Sequence, residues 1–541
     1  VPTDPQRARV LLFWCAIVAT PIGFLGACEL LARVVVSQPA DPRLALRGDP
    51  VFFEHFERDG APWVRIAHDE LYGSGTVELS EHKPEGVLRI FALGGSASAG
   101  WPHPRSESYA VVLQHALQKA LPGRRVEVID ASAHAWASYR VRLVLRRVLA
   151  FEPDLVVVYS GNNEFLERRT YLGELPAVLR GLALVRGLRR LLLPWVAPGA
   201  ALAADHREHA SHEVWTKLRR QALELRSDPD QFERLSRHYA ESIEGMAREA
   251  AAAGVPLVLV TVPVNLRDWR PNVSTAPPPG PRGREWERHV DGGRRRLMAG
   301  DAESAVRELR VAADLAPEHA ETRFWLGRAF EAAGHDAEAR AAYRAAVDLD
   351  RNPFRALSRF NTTVRDVAAR EPGVHLADAE AAFEAAVAPR APGFDLFLDY
   401  VHPTARGNQL VARSVFGAVL ASGTVDVPRR DVAFEPPAPS HYHAEEDPTV
   451  QRTLLLLFAM MHQHDALVDR ARAHAGRAEP EWRFARRYLR VFGPLVALEE
   501  RRLAGGPIPA AERARVEARL EAFYARQYPK ALVRERGAPR P

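Results

Sequence analysis

Three short stretches carry side chains that could do chemistry together. The first, RIFALGGSASAG (Arg89–Gly100), is an apolar run that stops on Gly94 and Gly95 and puts Ser96 at its tip. Glycines there allow tight dihedrals and let a substrate approach the backbone. Ser96 precedes a segment that reads as a helix, so two roles stand open: a nucleophile whose own N–H is free to donate, or an N-cap. The second, LDYVHPTARGNQLVA, holds Asp399 and His402. An Asp three residues before a His, on a short loop, can hold the imidazole by its Nδ1–H and turn the other nitrogen toward a serine. Nucleophile, base and orienter are the roles of nucleophilic hydrolysis; alone, D-x-x-H fits a capping Asp and a solvated His equally well. The third, VVVYSGNNEF, ends another apolar run on Gly161-Asn162-Asn163-Glu164. The Asn163 amide can donate to an oxyanion or serve as a turn residue.

The elements that must position these residues are legible as an alternation. VLRIFAL (Val87–Leu93), VEVID (Val126–Asp130), DLVVVYS (Asp154–Ser160) and PLVLVTV (Pro256–Val262) read as strands buried on both faces, with GVHLAD (Gly373–Asp378) a weaker fifth. Helical patterns such as YAVVLQHALQKAL and SYRVRLVLRRVLA lie between them. This alternation predicts an α/β fold with a parallel sheet covered by helices on both faces. The carboxyl ends of such strands are where ligands bind, and Ser96 and Asn163 both stand there.

In this order the three stretches resemble the SGNH (GDSL-type) hydrolase family. Gly94-Gly95-Ser96-Ala97-Ser98-Ala99-Gly100 stands where that family has G-D-S-L-x-x-G, Gly161-Asn162-Asn163-Glu164 where it has G-x-N-D, and Asp399 through His402 where it has D-x-x-H. The resemblance implies a three-layer, flavodoxin-like fold, with Ser96 as nucleophile, His402 as base and Asp399 as its orienter. It implies Asn163 and the Ser96 N–H as oxyanion donors. Gly95 and Glu164 depart from the family's commonest residues and are expected at the substrate. The family's remaining oxyanion glycine aligns with Ser132 in IDASAHAWASYR; a serine keeps an N–H but cannot take φ > 0 cheaply. Trp136 and Tyr139 either line the pocket or pack the following helix. In VPVNLRDWRPNVS, Asn265, Arg267 and Asp268 could face the cleft. Arg267 either binds an anionic substrate group or pairs with Asp268.

A repeat interrupts the alternation. Gly300, Ala305, Ala312 and Leu315 recur as Gly334, Ala339, Ala346 and Leu349, always 34 residues on. That is the tetratricopeptide period, and such units stack on neighbours and offer surfaces to protein partners. The expected organisation is a cytoplasmic N-terminus (1–9), a transmembrane signal anchor (10–36), a membrane-proximal segment (37–86), a first hydrolase part (87–274), a tetratricopeptide-like insertion (275–353), a second hydrolase part with Asp-x-x-His (354–427) and a C-terminal helical region (428–541). A membrane anchor, a hydrolase domain and a helical-repeat insertion together resemble a known bacterial layout.

The remaining features bound the function. The 541 residues carry a net charge of +5, with 47% hydrophobic and 26% charged residues, a globular composition too long for one ordinary core. No Lys/Arg run with interleaved aromatics suggests nucleic acid. Val10 through Cys28 carry no charge, and Arg7 and Arg9 precede them. That length spans a bilayer core of roughly 30 Å, with the bulk of the chain outside the cytoplasm, on the periplasmic side of the inner membrane. A lipoprotein signal ending at Cys28, a cleaved signal and a buried helix are the alternatives. Tyr171–Ala204, apolar with interleaved arginines, either lies on a membrane or apolar substrate or packs on the sheet. The pairs His441/His443 and His462/His464 lack a third ligand at metal spacing, and no metal or cofactor is expected. The expected activity is hydrolysis of an ester, an O-acyl glycan or lipid, through an acyl-enzyme. Acyl transfer by the same triad, a repeat scaffold on a degenerate hydrolase core, and non-catalytic glycan binding are the other readings.

Overall fold

The computed structural model describes residues 26–29, 31, 53–67, 76–166, 212–437 and 443–527. Residues 26–29 and 31 fall in a unit made of Val1–Phe52 and Arg168–His206; the others belong to a second unit, Phe53–Glu167 with Arg207–Pro541. The segment Tyr171–Ala204 and His441 lie outside the described residues.

In the second unit the chain first forms three strands, β1 (Phe53–Arg58), β2 (Ala61–Ala67) and β3 (Thr76–Ser80), then β4 (Leu88–Gly94). Next come α1 (Tyr109–Ala120), β5 (Val126–Asp130), α2 (Ser138–Val148), β6 (Leu155–Tyr159), α3 (His212–Ser227), α4 (Pro229–Ala252) and β7 (Leu257–Val260). Four helices follow: α5 (Gly280–Met298), α6 (Ala302–Leu315), α7 (Ala320–Ala332) and α8 (Asp336–Leu349). The chain then returns through α9 (Ser358–Arg370), β8 (Val374–Ala377), α10 (Ala379–Val387) and α11 (Ala405–Ser422). It ends in α12 (Pro448–Met460), α13 (His464–Ala475), α14 (Arg483–Leu503) and α15 (Ala510–Gln527).

Strands β4 to β8 form one parallel sheet in the order β5-β4-β6-β7-β8. These are the five strands expected from the sequence, in the flavodoxin-like order 2-1-3-4-5. Strands β4 and β6 are buried at every residue, as apolar runs without alternation require. The order reverses at β4, and right-handed crossovers then put α1 and α2 on opposite faces. Helix α1 packs with α11, whereas α2 packs with α4 and α4 with α9. The reversal sets the tip of β4, and Ser96 just beyond it, beside the crevice between the halves.

A second sheet, β1-β2-β3, is antiparallel and falls in the segment 37–86, where no strands were expected. Its outward residues are charged, so the strands lack the continuous apolar run that marks the main sheet. Arg89 of β4 ties the two sheets together and is fully buried. Its Nη1 donates to Phe151 O (2.9 Å) and Ser80 O (3.1 Å), its Nη2 to Ser80 Oγ (3.0 Å) and its Nε to Glu127 (3.1 Å).

Helices α5 to α8 are two hairpins, α5–α6 and α7–α8, stacked through α6 and α7. The 34-residue correspondence has a structural counterpart. Gly300 and Gly334 both follow a helix with φ of 77°, a left-handed stop that glycine allows without strain. The matched Ala305/Ala339 and Ala312/Ala346 are all buried. At the base of the insert the chain closes on itself: Asn272 N and Val273 N donate to the Asp350 carboxylate, and Arg351 N donates to Val273 O (2.8 Å). Asp350 has no solvent exposure; burial holds its carboxyl above the usual range, against the pull of Arg355 and these N–H groups.

One expectation is corrected. Among the described residues no helix is long and apolar enough to cross a membrane, which removes the support for placing the chain in the inner membrane with a periplasmic domain. Of Val10–Val36, only residues 26–29 and 31 are described; the rest of that segment lies outside the described residues.

Replacing Arg89 with Met removes the guanidinium from the Phe151 and Ser80 carbonyls and leaves Glu127 with Arg125 alone. Breaking a buried ion pair from one side typically costs about 3–5 kcal/mol. Denaturant unfolding of Arg89→Met should show a loss near that size, and an unchanged midpoint would show that the two sheets do not depend on it.

Candidate active site

Ser96, Asp399 and His402 are separated by some 300 residues of chain and meet at hydrogen-bond distance. Asp399 has no solvent exposure, and its hydrogen-bond partners surround its carboxyl group. Its Oδ1 accepts from Val401 N (2.9 Å) and His402 N (2.9 Å). Its Oδ2 lies 2.6 Å from His402 Nδ1. A carboxylate only accepts, so Nδ1 carries the proton and Nε2 is left with its lone pair. Ser96 Oγ lies 2.9 Å from Nε2 and donates to it. This geometry is that of nucleophile, base and orienter.

The loop bearing Asp399 and His402 is short because both ends are pinned. Phe397 bridges Pro403, Leu398 N donates to His402 O (2.8 Å), and Thr404 N donates to Leu396 O (2.9 Å). Thr404 then caps α11, its hydroxyl accepting from Gly407 N (3.2 Å). Ser96 sits differently from the expected cap. Turns follow it, α1 begins only at Tyr109, and Ser108 caps that helix. The Ser96 N–H has no acceptor among the described residues, so it is open to a substrate oxygen.

Asn163 sits over the glycines. A Cβ on Gly95 would lie 2.4 Å from Asn163 Nδ2, and one on Gly94 2.2 Å from Tyr159 O. Gly94 is therefore closed to a side chain by backbone, and a side chain at Gly95 would displace the Asn163 amide. One hydrogen of the Asn163 amide goes to Trp136 O (3.1 Å); the other is available at the Ser96 side. Trp136 thus contributes its carbonyl to the site's frame.

Ser132 does not supply a donor. It is fully buried, its N–H is taken by Asp130 Oδ1 (3.0 Å), and its hydroxyl donates to Ser98 Oγ (2.8 Å). The left-handed backbone expected of an oxyanion residue occurs three positions later, at Ala135, with φ of 58°. The Ala135 N–H has no acceptor among the described residues. No glycine marks the place, so nothing in the local pattern points to it.

Three other expected substrate residues are framework. Glu164 is fully buried and accepts from Ser138 N (2.7 Å) and Ser138 Oγ (2.9 Å), closing the start of α2. Asn265 is also fully buried and grips the catalytic loop: Nδ2 donates to Asp399 O (2.9 Å), and its backbone N donates to Tyr400 O (3.0 Å). Arg267 pairs with Asp268 through Nε and Nη2 at 3.0–3.2 Å. Of the two roles open to it, the structure therefore favours the structural pair. Tyr139 takes a donor from Arg140 Nε (3.2 Å). His462 and His464 have ring centroids 5.6 Å apart, with His464 stacked on Phe492 at 5.3 Å.

Two residues beside the base carry no motif. The Trp101 ring stands edge-on to His402 at 4.4 Å. His103 Nε2 lies 2.8 Å from Pro403 O, a bond that joins the serine turn to the histidine loop. Burial pushes the His103 imidazole down, so it serves as a neutral donor there.

No family model matches the chain, and no curated protein matches it. Among solved structures it is similar to LAE5, an α/β hydrolase enzyme from the metagenome of Lake Arreo, Spain, at 13% identity and a TM-score of 0.28, over 63% of this chain and 96% of that one. It is similar to a mutant of Axe2, an acetyl-xylooligosaccharide esterase from Geobacillus Stearmophilus, at 12% identity and a TM-score of 0.27, over 64% and 98%. It is also similar to a GDSL-like lipase from Bacteroides thetaiotaomicron, at 12% identity and a TM-score of 0.24, over 62% and 88%. Likeness this slight says nothing of the chemistry, which rests on the distances above.

Left-handed backbone at an alanine costs about 1–2 kcal/mol, which glycine avoids at some expense in chain entropy. Ala135→Gly should therefore unfold at a higher denaturant concentration, by about 1 kcal/mol. A variant less stable than the parent would mean that the alanine methyl group makes packing that outweighs the strain.

Proposed function

We propose that this chain is a serine hydrolase of the SGNH type acting on an ester. The observation that carries the reading is the continuous relay from Asp399 Oδ2 through His402 to Ser96 Oγ, at 2.6 and 2.9 Å. His402 Nε2 takes the hydroxyl proton as Ser96 Oγ attacks the ester carbonyl. The carbonyl oxygen gains negative charge, and the Ser96 N–H, the spare Asn163 N–H and the Ala135 N–H are the donors to receive it. The imidazolium, held by Asp399, returns its proton to the leaving alcohol, and a Ser96 acyl-enzyme remains. Water activated by His402 then releases the acid. A sugar hydroxyl in place of water would make the same machinery a transferase.

The 34-residue correspondence and the two stacked hairpins support reading 275–353 as a pair of tetratricopeptide-like units inserted between the hydrolase parts 87–274 and 354–427, with 428–541 as a helical support. An O-acyl glycan or a lipid is the proposed ester class.

A fluorophosphonate probe tests the reading without knowledge of the substrate. Wild type should label, Ser96→Ala should not, and Asp399→Asn should label about ten-thousandfold more slowly, its imidazole being left in the wrong tautomer. Labelling of Ser96→Ala at the wild-type rate would sink the proposal. Against a turned-over ester, Asn163→Ala should lower kcat by roughly a hundred- to a thousandfold, the usual cost of one oxyanion donor.

A further inference from the structure

The C-terminal helices contain no catalytic motif, yet one of their side chains reaches the catalytic loop. Arg470, on α13, donates through Nη2 to Leu398 O (3.0 Å) and through Nη1 to Gln451 Oε1 (3.3 Å) on α12. Its guanidinium lies over the rings of Phe394 (5.4 Å) and Phe458 (5.2 Å). Three consecutive loop carbonyls are thereby held from outside: Leu398 by Arg470, and Asp399 and Tyr400 by Asn265. The same helices fix Asn265's own segment. Gln463 accepts from Arg270 N (3.0 Å) and donates to Arg270 O (3.2 Å), and Trp269 packs between Tyr400 (5.2 Å) and Phe458 (5.0 Å).

No carboxylate forms an ion pair with the Arg470 guanidinium among the described residues. Its hydrogen-bond acceptors there are a carbonyl and an amide, and the carboxylates that act on its charge are Asp399 and Glu445. Burial lowers the guanidinium to about 10, so it stays charged at neutral pH. It also lines a cavity of about 590 Å³ together with Leu398, Phe394 and Gln451, a cavity that includes neither Ser96 nor His402. A half-buried cation without an ion-pair partner carries a desolvation cost, offset in part by its carbonyl and amide acceptors and the two ring faces.

We propose that Arg470 is a positioning residue for the Asp399–His402 pair: it fixes the Leu398 carbonyl at the root of the loop, one residue before Asp399. The helices after residue 428 are then part of the support of the active site. This rests on the hydrolase reading only for its effect on rate. The groups that face His402 are Asp399 and Tyr400 on its own loop and Ser96, Trp101 and His103 on the segment after β4; Arg470 reaches the loop at Leu398. Glu445 acts on both His103 and Arg470, and Glu107 on His103.

The test uses the full chain with Arg470→Met and Arg470→Lys. Proton NMR reads the low-field Nδ1–H of His402, identified by its loss in His402→Ala, and needs no activity. In Arg470→Met this resonance should move upfield and broaden as the pair loosens. Labelling by the fluorophosphonate probe should slow by about ten- to a hundredfold, as expected for a misplaced base. Arg470→Lys, which keeps a donor to the Leu398 carbonyl, should hold the resonance near its wild-type position. A resonance unchanged in a folded Arg470→Met overturns the proposal. Wild type that fails to label overturns the hydrolase reading, and the resonance still decides the role of Arg470.

Discussion

A neutral imidazole can serve Ser96 only while something fixes which of its nitrogens carries the proton. The 2.6 Å contact between Asp399 and His402 does this, and much of the surrounding structure holds that contact in place. A buried carboxylate would be expensive without donors; two backbone N–H groups of its own loop supply them. The loop's carbonyls then need donors as well, and they come from Asn265 and Arg470, far apart in sequence. The sheet provides the other half of the geometry. Parallel strands end on one edge, so the tips of β4 and β6 bring Ser96 and Asn163 together; Gly94 lets the Tyr159 carbonyl approach, and Gly95 leaves room for the Asn163 amide.

Several side chains that look like substrate ligands are in fact the means by which this edge is kept rigid. Glu164 closes the start of α2, Asn265 holds two loop carbonyls, and Arg267 neutralises Asp268. Each is a polar group placed where backbone groups of irregular chain would otherwise lack partners, a need that increases at strand ends because the ladder stops there. Polar residues concentrate beside an active site for this reason as well as for catalysis.

The parts of the structure legible in the sequence were those governed by local pattern. The five buried strands show as continuous apolar runs, and their alternation with helices fixes a parallel sheet. Ser96, Asp399 and His402 were visible because each sits at a strand end or a pinned loop with a distinctive neighbour. Ala135 was not, since its left-handed backbone is imposed by the turn after β5 and no glycine announces it. Ser132 precedes the same helix, and what separates it from Ala135 is tertiary: its N–H goes to Asp130, its hydroxyl goes to Ser98, and its backbone is not left-handed. Strands β1 to β3 mix charged residues with isolated buried ones, Val64, Ile66 and Leu79, and lack any apolar run long enough to stand out. The contacts of Asn265, Glu164 and Arg470 depend on segments distant in the chain and are tertiary by nature. An apolar stretch near the start suggested a membrane span, but length and apolarity describe a segment's solubility, and among the described residues no helix combines both.

The closure at Asp350 has a consequence for how such a chain can change. Because the residues on either side of the four-helix insert are joined by the Arg351–Val273 backbone bond and by the Asp350 carboxylate, the sheet meets the same entry and exit whatever lies between them. Additional hairpins could be gained between those two points without moving the neck. The present hairpins are less free: Asp291 and Arg294 on the first bind Arg502 and Glu499 of the C-terminal helices. Glu321, Arg328 and Arg344 on the second bind Arg270, Asp268 and Glu380 of the body. Length can vary, while the two hairpins already present are held in place by their neighbours.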